Sequence, residues 1–324
     1  MIENQQVNLL NSTNTSFSEV SNLTSSFIAC GEDQPLFVFQ QEFQNPNHEQ
    51  RFKNKECPIG DPRNILDVTQ YQHIIYRSLC QNELGIKRNF FIQDEINFLD
   101  RGVAFDSMSH VHYRLNMGTN GLYIAFGIMD KYLTTHLLPR SKLKLYCNAA
   151  VFIGAKVEDY RPPRVRDLIK MADHCFGGNT FSSRELYEAE HDLLATIDFN
   201  ITFGTPLLYM TQLMRISGHN TENILIARYI IEIMQTNINF VGLPYSMHAA
   251  VAVMVSRIFE GKSRWTPELA GYTNYNEDDL YNLSLTVREM LCDQNCPTIL
   301  FIRRKYGTDL FYRVSLLPIP SNWS

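Results

Sequence analysis

No run in this 324-residue chain approaches eighteen apolar residues; the richest, residues 249–255, stops at Ser256, so no membrane partner is expected. The amino terminus lacks a basic region followed by an apolar run, so no secretory signal is expected, and the Asn11-Ser-Thr and Asn22-Leu-Thr triplets read as chance matches. Strong charge of either sign is also missing. Lys and Arg total 29 against 34 Asp and Glu, a net charge of −5. That excess sits in the first sixty residues, with seven acids and three bases, leaving 26 bases and 27 acids in a nearly neutral body that argues against nucleic-acid binding. The seven cysteines are scattered and odd in number; Cys292 and Cys296 have no second pair or nearby histidine, so neither zinc nor a disulfide framework is expected.

Catalytic signatures are missing too. Gly177-Gly178 is not followed by Lys-Ser/Thr, and there is no nucleophile elbow. His110 and His112, two apart on a helix, do not share a face; one exposed and one partly packed ring is expected. His174-Cys175 is adjacency rather than convergence. Glu158-Asp159 and Asp278-Asp279 are neighbours that diverge on a helix and read as solvated charge. No enzyme activity and no cofactor are expected.

What is present is helical periodicity. Leu122, Ile124, Ala125, Ile128, Met129 and Leu133 recur at helical spacing, and the run from Leu143 to Ala155 is apolar almost all round. The latter reads as a central buried helix whose Ala149, Ala150, Gly154 and Ala155 admit close neighbours. Lys156, Glu158 and Asp159 end it abruptly before Pro162-Pro163. With Glu190 they form a charged lip, and periodicity alone leaves two readings: a partner-binding face or a solvated helix end.

Residues 1–60 are polar, with short islands such as Leu36-Phe37-Val38-Phe39, and read as a disordered tail. No destruction signal stands there; Arg63-Asn-Ile-Leu66 matches one pattern but precedes a helical segment, residues 67–82, with Tyr71, Ile74, Ile75 and Leu79 on one side. This helix should pack on another element, because a lone helix is marginal in water. A short helix over 167–172 follows the prolines, and Ser183 reads as the start of another. Five helices between about 93 and 197 are then followed by five more, over 205–214, 221–236, 245–260, a short one from Trp265, and 276–291. Ala149-Ala150 and Ala249-Ala250 occupy matching places, so the chain reads as two degenerate five-helix units. No strands alternate with these helices, which excludes a doubly wound sheet.

The segments GLYIAFGIMDKYL, KLKLYCNAAVFIGAKVEDYRPP, ELYEAEHDLLATIDFNITFGTP, GKSRWTPELAGYTNYNEDDL and RRKYG with RVSLLP resemble, in order, the cyclins, particularly the mitotic A/B-type group. The resemblance spans about residues 67–318. It implies an all-α fold of two tandem five-helix cyclin boxes, over 93–200 and 203–318, with an additional N-terminal helix over 67–82 and the tail. It also implies a non-enzymatic subunit, nuclear and/or cytoplasmic, that binds and activates a cyclin-dependent protein kinase in cell-cycle control by positioning its C helix and activation loop. By motif, Arg101 and Asp130 match the structural ion pair. Lys156 and Glu190 match the kinase contacts, with Phe152, Ile153 and Val157 as apolar neighbours; Val157 replaces the usual phenylalanine. Where relatives read Met-Arg-x-Ile-Leu-Val-Asp-Trp, this chain has Asp100-Arg-Gly-Val-Ala-Phe-Asp-Ser107. The substrate-docking groove at Val103, Ser107 and Leu143 is therefore expected to be weakened toward Arg-x-Leu peptides on substrates or inhibitors. The rival readings are a promoter-assembly protein with the same double fold and a scaffold that binds a kinase without activating it.

Overall fold

A computed structural model describes residues 71–86, 92–176, 181–218 and 220–323. The tail, the island at residues 36–39, the pattern at 63–66 and residues 67–70 lie outside the described residues. Every regular element among the described residues is helical. After α1 (Gln72–Gln81) come α2 (Phe98–Arg114), α3 (Thr119–Leu133), α4 (Leu143–Glu158), α5 (Val165–Phe176) and α6 (Ser183–Thr196). The second set is α7 (Pro206–Ser217), α8 (Thr221–Thr236), α9 (Tyr245–Phe259), α10 (Pro267–Thr273) and α11 (Glu277–Cys292), and α12 (Leu300–Tyr306) closes the chain.

The central helices owe their place to composition. In α4 every residue from Tyr146 to Ala155 is buried, and in α9 every residue from Tyr245 to Ile258. Small residues set the spacing. A Cβ on Gly154 would stand 2.1 Å from the Gly121 carbonyl oxygen, so α3 and α4 cross glycine against glycine. Helix starts are fixed locally. Asn97 with Asp100, Ser182 with Glu185 and Asn276 with Asp279 form capping boxes on α2, α6 and α11. Helix α6 starts at Ser183, as expected, and its cap is Ser182, because the box needs its carboxylate three residues on. The helix after the prolines is also longer than periodicity indicated, running through residue 176.

The N-terminal helix packs on the second unit, but only part of the expected side is covered: Ile75 is half-buried and Leu79 packs against the core. Tyr71 and Ile74 are exposed, at 51% and 52%, while Gln72 and Tyr76 are buried. The reason is aromatic: Tyr76 sits 5.7 Å from the Tyr209 ring and 4.6 Å from that of Tyr272, centroid to centroid. Beyond the helix, Glu83 Oε1 accepts the backbone N–H of Ser246 at the start of α9 (3.0 Å).

The two units meet along α2. Arg101, 1% exposed, donates through Nε and Nη2 to the Asp130 carboxylate, both at 2.7 Å, and again through Nη2 to the Gln235 carbonyl at 2.9 Å. Asp106 accepts the backbone N–H groups of Phe301 (2.8 Å) and Ile302 (2.9 Å) at the start of α12. Its burial pushes its carboxyl up to about 7, opposed by those two bonds. Lys305 and Glu232 form a second buried pair at 2.5 Å. Neither histidine of α2 is left in solvent as expected. His112 is buried and donates to the Gly118 carbonyl (2.9 Å), and His110 stacks on Phe301 at 4.1 Å.

Replacing Arg101 by Ala leaves Asp130 buried without its partner and is expected to lower the unfolding free energy by about 3–5 kcal/mol. Urea denaturation reads this; a loss under about 1 kcal/mol would show that water or a neighbour takes over the carboxylate. Acid should destabilise the fold as well. Burial lowers His110, His112 and His248 from 6.5 to about 4, so none affects stability above 6.5 and each disfavours the fold increasingly as pH falls toward about 4, because the unfolded chain binds the proton first. Asp106 has the opposite sign, its cost appearing as pH rises from about 4 to about 7. Asp130, also raised by burial, shares that sign. Three histidines act against these two carboxyls, so the melting temperature should fall on acidification across that window; a flat or rising profile would contradict this.

Candidate functional site

The lip is built where α4 ends. Lys156 Nζ lies 2.6 Å from Glu190 Oε1 on α6, 4.1 Å from the Phe152 ring centroid and 6.0 Å from that of Tyr187. A carboxylate and two aromatic faces thus hold the ammonium in one place. Both side chains retain solvent access, 39% for Lys156 and 12% for Glu190.

The support beneath Glu190 is explicit. Leu186, Ala189 and Leu193 bury the inner stripe of α6. Asp192 Oδ2 accepts hydrogen bonds from the hydroxyls of Tyr132 on α3 (2.8 Å) and Tyr146 on α4 (2.6 Å). One carboxylate therefore pins α6 to both central helices and turns Tyr187, Glu190 and His191 outward.

Of the other two lip charges, Glu158 is exposed, as expected, and Asp159 is partly buried, and each also has a partner within the protein. Asp159 Oδ1 accepts the backbone N–H of Gly118 at 2.7 Å, and Glu158 Oε1 accepts from Asn120 Nδ2 at 2.7 Å. Helix α3 begins at an N-cap, Gly118, that lacks a capping side chain. The two carboxylates supply from α4 the negative charge that such an end needs.

The apolar contacts also differ from expectation. Phe152 and Ile153 are 4% and 3% exposed and belong to the core, so they have little surface to offer a partner. Val157 is open at 39%. Sequence reasoning missed three exposed aromatic residues at the end of α4, on α6 and just after it: Tyr160 at 95%, Tyr187 at 52% and Phe199 at 58%. Asp198 and Phe199 are consecutive non-glycine residues in the left-handed region (φ 50° and 56°), which throws Phe199 out beside His191, 5.9 Å between rings. Arg184, Tyr187, Glu188 and His191 line a shallow depression next to the ion pair. Helical phase could have flagged Tyr187 and His191, which lie off the Leu186–Leu193 stripe; nothing in the sequence signals the turn at Phe199.

The residues expected to line the groove do not form an open apolar slot. Val103 and Leu143 are buried, at 7% and 4%, so neither presents a wall, and the Ser107 hydroxyl donates to the Val103 carbonyl (2.9 Å). Asp100 is bonded by its own helix start and by Arg140 (2.5 Å). Among the described residues, no three His, Cys, Asp or Glu side chains are grouped to hold a metal, and no helix is long and apolar enough to cross a membrane.

Residues 73–202 match the family model for the cyclin N-terminal domain, and residues 204–320 match that for the cyclin C-terminal domain. The chain is 26% identical over 225 residues to a G2/mitotic-specific cyclin-B of Emericella nidulans, covering 69% of this chain and 46% of that protein. It is 24% identical over 268 residues to a G2/mitotic-specific cyclin-B of Patella vulgata, covering 82% and 64%. The chain therefore spans about half to two thirds of the length of these relatives. Among solved structures, a viral cyclin from herpesvirus saimiri shares the fold with a TM-score of 0.60 at 18% identity, over 68% of this chain and 97% of that one.

The lip charges separate by experiment. Asp159→Ala orphans the Gly118 N–H and should cost about 1–2 kcal/mol of stability, whereas Lys156→Ala, in a half-open pair, should cost under about 1 kcal/mol. Equal losses in denaturant melts would mean that Asp159 does not hold α3.

Proposed function

The chain belongs to the cyclin family, with both cyclin boxes and a non-enzymatic, regulatory fold, and from that premise we propose that it is the activating subunit of a cyclin-dependent serine/threonine kinase. The observation that carries the reading is the Lys156–Glu190 pair, held on a rigid support with the Tyr187 ring 6.0 Å from the ammonium and with Val157, Tyr160 and Phe199 exposed on the adjoining segments. Exposed aromatic side chains around an oriented ion pair are the composition of a protein-binding face rather than of a solvated helix end. A kinase transfers phosphate only when its internal Lys–Glu pair is formed and its activation loop is placed. A rigid face that binds only the inward position of the kinase's C helix shifts that equilibrium by differential affinity. Apolar and aromatic burial would supply most of the affinity and the ion pair the register.

We further assign it to the mitotic A/B-type group, an assignment that the similarity to G2/mitotic-specific cyclins supports, and propose boxes over 93–200 and 203–318 and action in the nucleus and/or cytoplasm. The Asp100–Arg140 pair and the buried Val103 and Leu143 support a weakened docking groove.

Lys156→Ala and Glu190→Ala should each lose about thirtyfold or more in kinase affinity, the roughly 2 kcal/mol or more expected when one member of an interfacial pair is truncated. The double variant should be less than additive, since each single change already breaks their mutual contact. Calorimetric titration against purified kinase tests this; binding within a factor of two of the parent for both would move the interface elsewhere. Co-purification with a histone phosphorylation assay tests the reading as a whole. Recovery of an inactive kinase would make the protein a scaffold, and recovery of none would favour promoter assembly.

A further inference from the structure

The net charge of the chain is −5, yet residues 160–170 carry Arg161, Arg164, Arg166 and Lys170 against a single acid, Asp167. All four cations are exposed. The carboxylates just before them each have a partner within the chain, the exposed Glu158 in Asn120 and the part-buried Asp159 in the Gly118 N–H. Arg166 touches Asp167 only loosely, at 3.8 Å, with 71% and 46% of the two side chains in solvent. The side chains of Arg161, Arg164 and Lys170 have no ion pair among the described residues. The two carboxylates each hold a hydrogen bond within the protein, whereas three of the four cations have no ion pair among the described residues. An ordinary solvated face intersperses the two signs.

The kind of cation matters. Three of the four are arginines, whose planar fork matches a carboxylate or a phosphate through two parallel hydrogen bonds. Arg161 lies 5.8 Å from the ring of Tyr160, which is 95% exposed, so a flat aromatic surface stands beside the charges. Arginine and tyrosine are the side chains most enriched where proteins meet. Pro162-Pro163 stiffens the backbone between the first two arginines, which lowers the entropy lost when a partner orders them.

We propose that residues 160–170 are a docking surface for an anionic peptide segment, one dense in Glu and Asp or bearing phosphoserine. The surface adjoins the lip but does not depend on the kinase reading, since it requires only clustered negative charge in a partner.

The test is fluorescence anisotropy of the full chain with three short labelled peptides: Glu/Ser, its phosphoserine counterpart, and a Gln/Ser neutral version. The two anionic peptides should bind, weaken as salt is raised, and lose at least about tenfold in affinity in the combined variant Arg161→Glu, Arg164→Glu, Arg166→Glu. That variant should melt with the parent, because none of these side chains contributes a buried contact. Reversing the exposed cations Lys142 and Arg288, elsewhere on the surface, should leave both affinities unchanged. Preference for the phosphorylated peptide would identify phosphate as the recognised group, and equal binding would identify negative charge in general. Unchanged binding by the triple variant, equal binding of the neutral peptide, or an equal loss on reversing Lys142 and Arg288 would overturn the proposal.

Discussion

The architecture depends on one buried guanidinium. Arg101 donates to both oxygens of Asp130 and to the carbonyl of Gln235, near the end of α8 in the second box. Its charged group also stands 4.1 Å from the Phe105 ring centroid. A buried ion pair adds little net stability compared with a well-packed apolar replacement, because desolvating the charges offsets most of their attraction. What it adds is intolerance of other arrangements: any relative shift of α2, α3 or α8 would strand a charge or an orphan helix-end carbonyl. Gly102, next to it, has the same effect by shape, since a Cβ there would meet Thr298 at 2.4 Å. Asp106 extends the constraint along α2 by holding the Phe301 and Ile302 N–H groups in the first turn of α12. The relative placement of the two boxes thus follows from polar groups that have one satisfactory geometry.

The lip inherits that rigidity through α3. The helix carrying Asp130 starts at Gly118, which Asp159 holds, and it crosses α4 at Gly121 against Gly154. Lys156 lies two residues beyond the crossing. Moving its backbone would therefore disturb the close approach of two helices and the hydrogen bond that starts one of them. Tyr132 and Tyr146, meeting on Asp192, fix α6 in the same frame. The pair is preorganised by the core, so a partner would not have to meet the cost of ordering it.

How far the sequence foretold this depends on where each feature's cause lies. Helix α8 was legible over 221–236 because its apolar period is long and Asn220 starts it locally. The central runs were legible because α4 and α9 are apolar on all sides, and the small residues of α4 announced the crossing at Gly154. The buried side of α1 was legible only in part, because it is chosen by Tyr209 and Tyr272, far along the chain; an aliphatic stripe loses to one well-placed aromatic ring. The same distance hid the fate of Glu158 and Asp159, whose partners Asn120 and Gly118 precede them by a whole hairpin of helices. The histidines of α2 were misjudged for the mirror reason: the surfaces that cover them come from Gly118 and Phe301. Periodicity reports which residues share a face, not what arrives to cover it.

The mutual pairing of Lys156 and Glu190 also bears on how a partner could use them. An ammonium has three N–H donors, and one is spent on Glu190 Oε1 while the aromatic faces of Phe152 and Tyr187 lie to its side. Glu190 keeps its second carboxylate oxygen outside that bond. Donor and acceptor capacity therefore remain side by side, a few ångströms apart, on the same exposed patch. A backbone segment offering one carbonyl and one N–H could engage both without breaking the existing pair, and so without the desolvation penalty of separating two opposite charges. A partner that offered only a carboxylate or only an ammonium would have to compete with the internal bond. The internal pair thus acts as a filter on orientation as well as an attraction, and the surrounding aromatic surface is left to supply the affinity.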